Sequence, residues 1–299
     1  MTILRAQDIA GIAGGLASYD AELQSILGCG LKELALKAVG RGGKSFEAKA
    51  FTKRVAIIPM TCGKGRITGF CETLQSIALH LGFSAFITRA TDVSGIAEAF
   101  DSGADILLHA DDERYIAIDL RSRRVVDNAE STGMGFACGL ALMAGGVESR
   151  MVLVVGGGPV GRAASAALLK MGGGVALFDI DPVAAQTAAS SLQSPHNMPV
   201  IVEENLGRAF QNYRLILDAT PEAAFIDCDN ICAETFIAAP GVPLGVTEAA
   251  ALLLGRHLLH DPLQIGTATM LVDSALSAPA EGSEADGLFS TTGQRICVP

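Results

Sequence analysis

Aromatic residues and positive charge are both scarce in this chain. None of its 299 residues is Trp and only 5% are aromatic, while 22 basic residues stand against 32 acidic ones, which gives a formal charge of −10. So few aromatic rings leave little for stacking on nucleic-acid bases. The negative charge would be repelled by a phosphate backbone and by an anionic membrane surface. We therefore expect neither nucleic acid nor a membrane as a partner.

Long apolar runs and paired cysteines are missing as well. No stretch approaches the roughly 20 apolar residues of a membrane span, and the N-terminus lacks the basic-then-apolar plan of a signal peptide. The seven cysteines are scattered, odd in number and without CxxC pairs, which is typical of reduced thiols in a cytoplasmic protein. His257 and His260 have no third ligand nearby, so we predict no metal site.

The apolar residues that are present follow an α/β pattern. The chain is 49% hydrophobic and contains 34 Gly, enough for a sizeable core with close helix–strand contacts. Apolar spacing predicts helices at 5–24, 31–39, 70–82, 96–103 and 129–145, and buried strands at 54–60, 84–90 and 104–110. Strands separated by helices imply parallel pairing. We predict an α/β chain with N-terminal helices and a small α/β substrate domain over 1–148. A Rossmann-type doubly wound parallel sheet domain with a closing C-terminal helix follows over 149–276, and then a flexible tail over 277–299.

The sharpest motif is a glycine-rich turn between a strand and a helix. "RMVLVVGGGPVGRAASAALLK" contains GxGxxG after an apolar strand and before a helix. This pattern in this setting is typical of dinucleotide binding, because the turn lets the backbone and the free N–H groups of the helix approach a pyrophosphate. The predicted cofactor-binding residues of the turn are Gly156, Gly158, Pro159, Val160 and Gly161.

Asp179 ends the next strand, 23 positions after the first glycine. At this place an acid accepts hydrogen bonds from the ribose hydroxyls of NAD and repels the 2′-phosphate of NADP. The sequence therefore favours NAD as the cofactor. The alternative is that Asp179 only caps a turn together with Asp181.

Two further strand ends complete the predicted cofactor site. "RLILDATPEAAF" and "TFIAAPGVPLG" each run from apolar residues into a Pro-containing turn. Strand ends of an open α/β sheet face the ligand crevice, although such turns are also ordinary turn chemistry. The residues assigned to the cofactor here are Ala219, Thr220, Pro221, Pro240 and Gly241, and Gly266 of "DPLQIGTATM" joins them.

Taken together, several segments resemble one family, pyrrolysine synthase, from about Leu4 to about Leu276. The resemblance is carried by "VAIIPMTCGKGRITGF", "TDVSGIAEA", "GADILLHADD", "DNAESTG", "LDATP", "APGVP" and "PLQIGTATML". It implies NAD-dependent oxidation of the terminal amine of lysine acylated by 3-methyl-D-ornithine, followed by loss of ammonia and closure to the pyrroline ring of pyrrolysine. The only partner implied is this small molecule. A homodimer is compatible with the sequence, which leaves the oligomeric state open.

The resemblance also assigns Asp111 as the catalytic, substrate-binding acid. Neighbouring side chains of an extended segment point to opposite faces, so we expect Asp111 to face the cleft and Asp112 to face away. The carboxylate or a water must take a proton from the amine before hydride transfer. A helix cap or a solvated loop acid is the alternative interpretation of Asp111.

The other substrate contacts are also implied by the family. Phe70 and Ile67 match apolar walls, with core packing as the alternative, and Leu4 matches a segment that closes over the substrate or merely packs. Asn128 and Thr132 match the junction between domains. Thr61 and Cys62 lie in the substrate loop, where the relatives have Ser at the Cys62 position and Asn at the Lys64 position; either Cys62 or Lys64 could then replace the polar clamp. Two rival functions stay open: an NAD-dependent dehydrogenase of another amino or imino acid, and a non-catalytic NAD-binding module.

Overall fold

The N-terminal part of the chain combines a five-stranded sheet with several helices. In the computed structural model, which describes residues 4–40, 48, 50–62, 67–192 and 197–276, the strands run in the spatial order β2-β1-β3-β4-β5. They are β1 (Arg54–Ile57), β2 (Ser84–Ile87), β3 (Ile106–Ala110), β4 (Tyr115–Asp119) and β5 (Arg124–Asp127). The helices of this part are α1 (Ala6–Ile9), α2 (Ile12–Leu27), α3 (Leu31–Val39), α4 (Phe70–Leu81), α5 (Asp92–Asp101) and α6 (Asn128–Met143).

The first sheet is mixed: the strands predicted at 54–60, 84–90 and 104–110 pair in parallel as expected, and two antiparallel strands that were not predicted extend the sheet. β1 pairs in parallel with β2 and β3, but β4 is antiparallel to both β3 and β5. Both hairpins turn on an Asp side chain instead of on Gly or Pro. Asp119 accepts the N–H groups of Arg121 and Ser122 at 2.8 and 2.9 Å, and Arg123 adopts φ +57°. Asp111 likewise accepts backbone N–H groups in the turn between β3 and β4. Neither turn contains Gly or Pro, so turn residues did not predict β4 and β5.

The second sheet is parallel and doubly wound. Its spatial order is β11-β10-β9-β6-β7-β8, built from β6 (Met151–Val155), β7 (Gly174–Phe178), β8 (Val200–Val202), β9 (Leu215–Asp218), β10 (Phe236–Ala239) and β11 (Leu258–His260). Its helices are α7 (Pro159–Lys170), α8 (Pro182–Ser191), α9 (Leu206–Asn212) and α10 (Glu248–Leu254). Strand order reverses between β6 and β9, and at such a switch point the loops at the carboxyl ends diverge to form a crevice. The predicted α/β class with a Rossmann-type sheet is confirmed.

The two sheets meet around two helices, α6 and α11 (Gln264–Ala275). α6 packs on α7 of the second sheet and on α11, and α11 in turn packs on α3, α4, β4 and β5. Every residue of α11 is buried, including Asp273. The helix predicted to close the second domain thus lies against elements of the first half. The boundary at residue 148 stays a prediction, and the tail at 277–299 lies outside the described residues.

Two sets of side-chain contacts stabilise the packing of α11 and of the segment that precedes it. Arg124 of β5 forms a bidentate pair with Asp273, with N–O distances of 2.9 and 2.7 Å. The hydroxyl of Tyr19 in α2 donates to Oδ2 of Asp261 over 2.6 Å, and three N–H groups at the start of α11 donate to the same carboxylate. Burial raises the pKa of Asp261, and these donors oppose the effect.

The first predicted helix is divided in two. Gly11, with φ +86°, separates α1 from α2, and α2 continues to Leu27, beyond the predicted end at residue 24. A left-handed residue cannot continue an α-helix, which explains the break. Among the described residues, no helix is both long enough and apolar enough to span a membrane.

Candidate functional site

A deep cleft of about 1490 Å³ lies where the strand ends of the two sheets face each other. The first wall of the cleft comes from the ends of β1 and β3, the start of α4 and the start of α6. The second wall, opposite the first, comes from the turns that follow β6, β7, β9 and β10. Most predicted site residues line this cleft: Leu4, Cys62, Ile67, Phe70, Asp111, Asn128, Gly156, Gly158, Pro159, Val160, Asp179, Ala219, Thr220, Pro221, Pro240 and Gly241. Thr61, Gly161 and Gly266 are the predicted residues that do not.

The glycine-rich turn has the backbone shape its motif predicts. Gly156 adopts φ +101°, and a Cβ atom at Gly161 would lie 1.8 Å from the carbonyl oxygen of Gly156, so α7 could not pack this closely with any other residue there. Gly158 is the N-cap of α7 and has open space where a side chain would stand. The free N–H groups of the first helical turn therefore adjoin an open part of the cleft, which is an arrangement suited to an anion.

Asp179 lies beside this turn and holds it. Its Oδ2 atom accepts the N–H of Gly157 over 2.6 Å, and its Oδ1 atom accepts the N–H of Asp181 over 2.9 Å. Asp179 therefore caps the turn, as the alternative interpretation stated, and it also lines the cleft. Each carboxylate oxygen retains a lone pair, so a diol can still be bound.

The two later strand ends line the cleft as predicted, and one buried acid supports them. Asp218, fully buried at the end of β9, accepts the N–H and the hydroxyl of Thr220 at 3.0 and 2.7 Å through Oδ1. Burial raises the pKa of Asp218 to about 6, and the hydrogen bonds from Thr220 oppose the rise. The sequence argument missed this positioning role, although Asp218 begins the quoted "DATP" turn.

The two acids after β3 form a hairpin turn. The N–H of Asp111 donates to the carbonyl of Arg114 over 2.9 Å, while Oδ1 of Asp111 accepts the N–H groups of Glu113 and Arg114 at 2.8 and 2.7 Å. The expectation that Asp112 faces away is wrong, because it is a turn residue and not part of the extended strand; both acids line the cleft. The N–H groups of Arg114 and Glu113 lower the pKa of Asp111, which keeps this carboxylate ionised.

His109 was missed by the sequence argument and lies two residues before Asp111 on β3. The residue is part of the cleft lining, and its Nε2 atom is buried and has no hydrogen-bond partner among the described residues. Burial lowers the pKa of His109 below its ordinary value of 6.5, and Asp111 opposes this shift. The signal available in the sequence was its spacing of two from Asp111, which puts both side chains on one face of the strand.

The predicted apolar residues line the cleft, and Thr61 and Cys62 are described in the loop after β1. Leu4, Ile67 and Phe70 line the cleft, and the ring of Phe70 meets that of Tyr115 edge-on at 5.8 Å. Thr61 is turned to Asp92, to which its N–H and hydroxyl donate at 2.8 and 2.6 Å. Cys62 is exposed in the cleft, while Lys64 lies outside the described residues.

The junction between α6 and α11 is close-packed. Oδ1 of Asn128 accepts the hydroxyl of Thr132 over 3.3 Å, and Nδ2 of Asn128 is buried without a described partner. A Cβ atom at Gly266 would lie 2.3 Å from Oγ1 of Thr132. Gly266 thus lets α11 approach α6, next to a second cavity of about 20 Å³, and its cofactor role stays a prediction.

Carboxylates dominate the polar lining of the cleft. They are Glu72, Asp111, Asp112, Glu113, Asp127, Glu130, Asp179 and Glu222. Arg114 is the one Lys or Arg among the described lining residues, and it is paired with Asp127 at 3.0 Å. Such a surface attracts cations. Within the described part of the chain, no three His, Cys, Asp or Glu side chains are grouped to hold a metal ion.

Two family models match different parts of this chain. A family model described as the N-terminal domain of pyrrolysine biosynthesis protein PylD matches residues 8–126, and the C-terminal domain model of alanine dehydrogenase/PNT matches residues 126–223. The pyrrolysine synthase of Methanosarcina acetivorans is 31% identical over 271 residues, which cover 91% of this chain and 98% of that protein. The pyrrolysine synthase of Methanosarcina barkeri is 30% identical, with 91% and 97% covered.

Solved structures share the fold at low identity. A quinate dehydrogenase from Corynebacterium glutamicum, determined in complex with NAD, gives a TM-score of 0.52 at 14% identity and covers 76% of this chain and 94% of its own. A shikimate dehydrogenase in complex with NADP⁺ gives 0.50 at 9% identity, covering 75% and 94%. At these identities the likeness concerns the architecture.

Proposed function

The chain belongs to the pyrrolysine synthase family, and from this we propose that it is an NAD-dependent dehydrogenase that catalyses the last step of pyrrolysine biosynthesis. In this proposal it oxidises the terminal amine of (3R)-3-methyl-D-ornithyl-N6-L-lysine, ammonia is released, and the resulting aldehyde closes on the neighbouring amine. The observation that carries the proposal is the position of Asp111, in a cleft whose facing wall is the glycine-rich turn.

The residues of the second wall fit NAD. The first turn of α7 offers N–H groups beside the open space at Gly158, and Asp179 offers acceptors for the adenosine ribose. Bound NAD would supply the acceptor for a hydride from the carbon that bears the amine. Asp179 also repels a 2′-phosphate, which supports NAD over NADP.

The residues of the first wall fit a substrate with several ammonium groups. Asp111 is ionised and exposed in the cleft, and it would hold the reacting ammonium by charge. Ile67 and Phe70 would cover the methylated chain, and Leu4 would help to exclude water, which protects an imine from early hydrolysis. Thr61 would shape the loop through Asp92 instead of contacting the substrate directly.

The test is direct. Protein, NAD and the acylated lysine are mixed, NADH absorbance is followed, and the product is identified by mass. We expect NADH together with a mass matching pyrrolysine. Asp111→Asn should lower kcat/KM by about 100-fold or more while the Kd for NAD is kept. Asp101→Asn, at the exposed end of α5, is the matched control and should leave both unchanged.

The outcomes separate the rival functions. NADH formed from other amino or imino acids, but not from the acylated lysine, would indicate a dehydrogenase of different substrate. NAD binding without NADH from any amine would indicate a non-catalytic binding module. Equal activity in Asp111→Asn would refute the role given to the acid.

A further inference from the structure

We propose that His109 accepts the proton which the reacting ammonium must lose before hydride transfer. This inference rests on the proposed function and names the base that the reaction needs. A protonated amine has no lone pair to support the departure of hydride, so one proton must leave first. The group that receives it has to lie in the cleft, near the acid that holds the ammonium.

Asp111 is itself badly suited to this step. Two backbone N–H groups donate to its Oδ1 atom and lower its pKa. A carboxylate stabilised in this way is a weak base, and its charge stabilises the ammonium form of a bound amine. Asp111 therefore binds the amine but makes its deprotonation harder.

His109 has the position for a base. The backbone of Asp111 is still paired across the hairpin, through its N–H to Arg114, so the strand alternation reaches Asp111 and puts its side chain on the face of His109. The two side chains are near enough for each to shift the other's pKa. His109 also lines the cleft, where a substrate held by Asp111 would lie.

His109 also has a ring nitrogen without a described hydrogen-bond partner. Its Nε2 atom is buried without a partner among the described residues, although buried polar atoms nearly always have one. A bound amine, directly or through one water, would supply the missing partner. Apart from Asp111, the neighbours on this face are apolar: Leu107 precedes His109 by two residues, and Ile116 lies opposite on β4.

The surroundings keep the imidazole neutral at pH 7 and ready to accept a proton. Burial lowers the pKa of His109, and Asp111 is the charged group that acts against this. The other titratable groups on the same wall are Cys62 after β1, Cys71 and Glu72 of α4, Asp112, Glu113 and Arg114 of the hairpin turn, Tyr115 of β4, Asp127 of β5 and Glu130 of α6. Once Nε2 holds the proton, Asp111 stabilises the imidazolium beside it.

The step balances simply. The N–H bond of the ammonium breaks, its electron pair stays on the amine nitrogen, and the proton forms a new N–H bond on His109. The neutral amine is then able to release hydride from its carbon. No additional oxidant or reductant is required for this proton transfer.

The experiment compares wild type, His109→Gln and His109→Ala with the acylated lysine and NAD, across pH. We expect His109→Gln to lower kcat by about 100-fold near pH 7, with the Kd values of NAD and substrate nearly unchanged. The wild-type kcat/KM should fall only below the ordinary His value of 6.5, and this acid limb should vanish in the variant. Added imidazole should restore part of the rate of His109→Ala. His257→Gln, outside the cleft, is the matched control and should match wild type.

A second readout does not depend on turnover. With the histidines labelled at Cε1, the His109 resonance, assigned by its loss in His109→Gln, should titrate below 6.5 and shift when the acylated lysine is added without NAD. Wild-type turnover retained within about threefold in His109→Gln, with the same pH profile, would overturn this inference alone. Failure of wild type to form NADH from the acylated lysine would overturn the proposed function and this inference together.

Discussion

We predict that the carboxylate of Asp179 controls the choice between NAD and NADP. In the structure its two oxygens accept the N–H groups of Gly157 and Asp181 at 2.6 and 2.9 Å. Replacement by Asn removes the charge and turns one of the two acceptors into a donor, which then opposes one of these N–H groups. The variant therefore loses a charge-assisted acceptor for the ribose hydroxyls and part of the support of the glycine-rich turn.

The magnitude follows from these contacts. A hydrogen bond to a charged group contributes about 1.5–3 kcal/mol, so the Kd for NAD should rise roughly 10- to 100-fold in Asp179→Asn. The Kd for NADP should change much less, because the charge that repels its 2′-phosphate is lost at the same time. The preference for NAD should consequently shrink by an order of magnitude or more.

The assay is a titration of each variant with NADH and NADPH, followed by the fluorescence of the bound nicotinamide. Asp181→Asn is the control, since Asp181 caps α8 by accepting the N–H of Val183 at 2.9 Å and lies outside the lining of the cleft. It should leave the NADH to NADPH ratio unchanged. Tighter binding of NADPH by wild type, or an unchanged ratio in Asp179→Asn, would refute the role of this carboxylate.

Three further predictions concern stability. Arg124→Met leaves Asp273 buried without its bidentate partner and should lower the free energy of unfolding by about 3 kcal/mol in urea titrations; less than about 1 kcal/mol would contradict this. Tyr19→Phe removes one of four donors to Asp261 and should cost about 1–2 kcal/mol by the same measurement, whereas an unchanged midpoint would show that the bond contributes nothing. Asp218 has a folded pKa raised from 3.8 to about 6, so its stabilising contribution is present below 3.8 and lost as pH rises through 6. Relative to Asp218→Asn, wild type should thus lose about 2–3 kcal/mol over this window, and parallel pH profiles would refute it.

Four strands of the second sheet, β6, β7, β9 and β10, follow from local sequence because their signals are local, whereas β8 and β11 were not predicted. The turn from Gly156 to Gly161, the strand before it and the helix after it are read within 25 residues, and the structure has them at those places. The helix predicted at 31–39 is α3, and α4 begins at Phe70 as predicted. In each of these elements the sequence pattern and the observed burial agree, which is the condition under which a pattern specifies a structure.

The hairpins of the first sheet could not be read in this way. "YIAID" and "RVVD" are short, and their turns are made by Asp side chains that accept backbone N–H groups, which the same composition also allows in a loop. Missing the hairpin led to the wrong expectation for Asp112. The burial of all of α11 is likewise set by contacts with residues more than 100 positions away, which no local window contains.

The charge of the cleft explains why a neutral base is needed at all. Six of the lining carboxylates, Glu72, Asp111, Asp112, Glu113, Asp127 and Glu130, come from the first wall, and only Asp179 and Glu222 come from the second.

In the proposed reaction, an anionic pyrophosphate and a cationic substrate would therefore be directed to different walls. The acids that attract the substrate would also stabilise its ammonium form, which cannot release a hydride. A further carboxylate would only deepen this problem. An imidazole that burial keeps neutral can remove the proton without adding negative charge to the cleft. We propose His109 of the first wall as this imidazole.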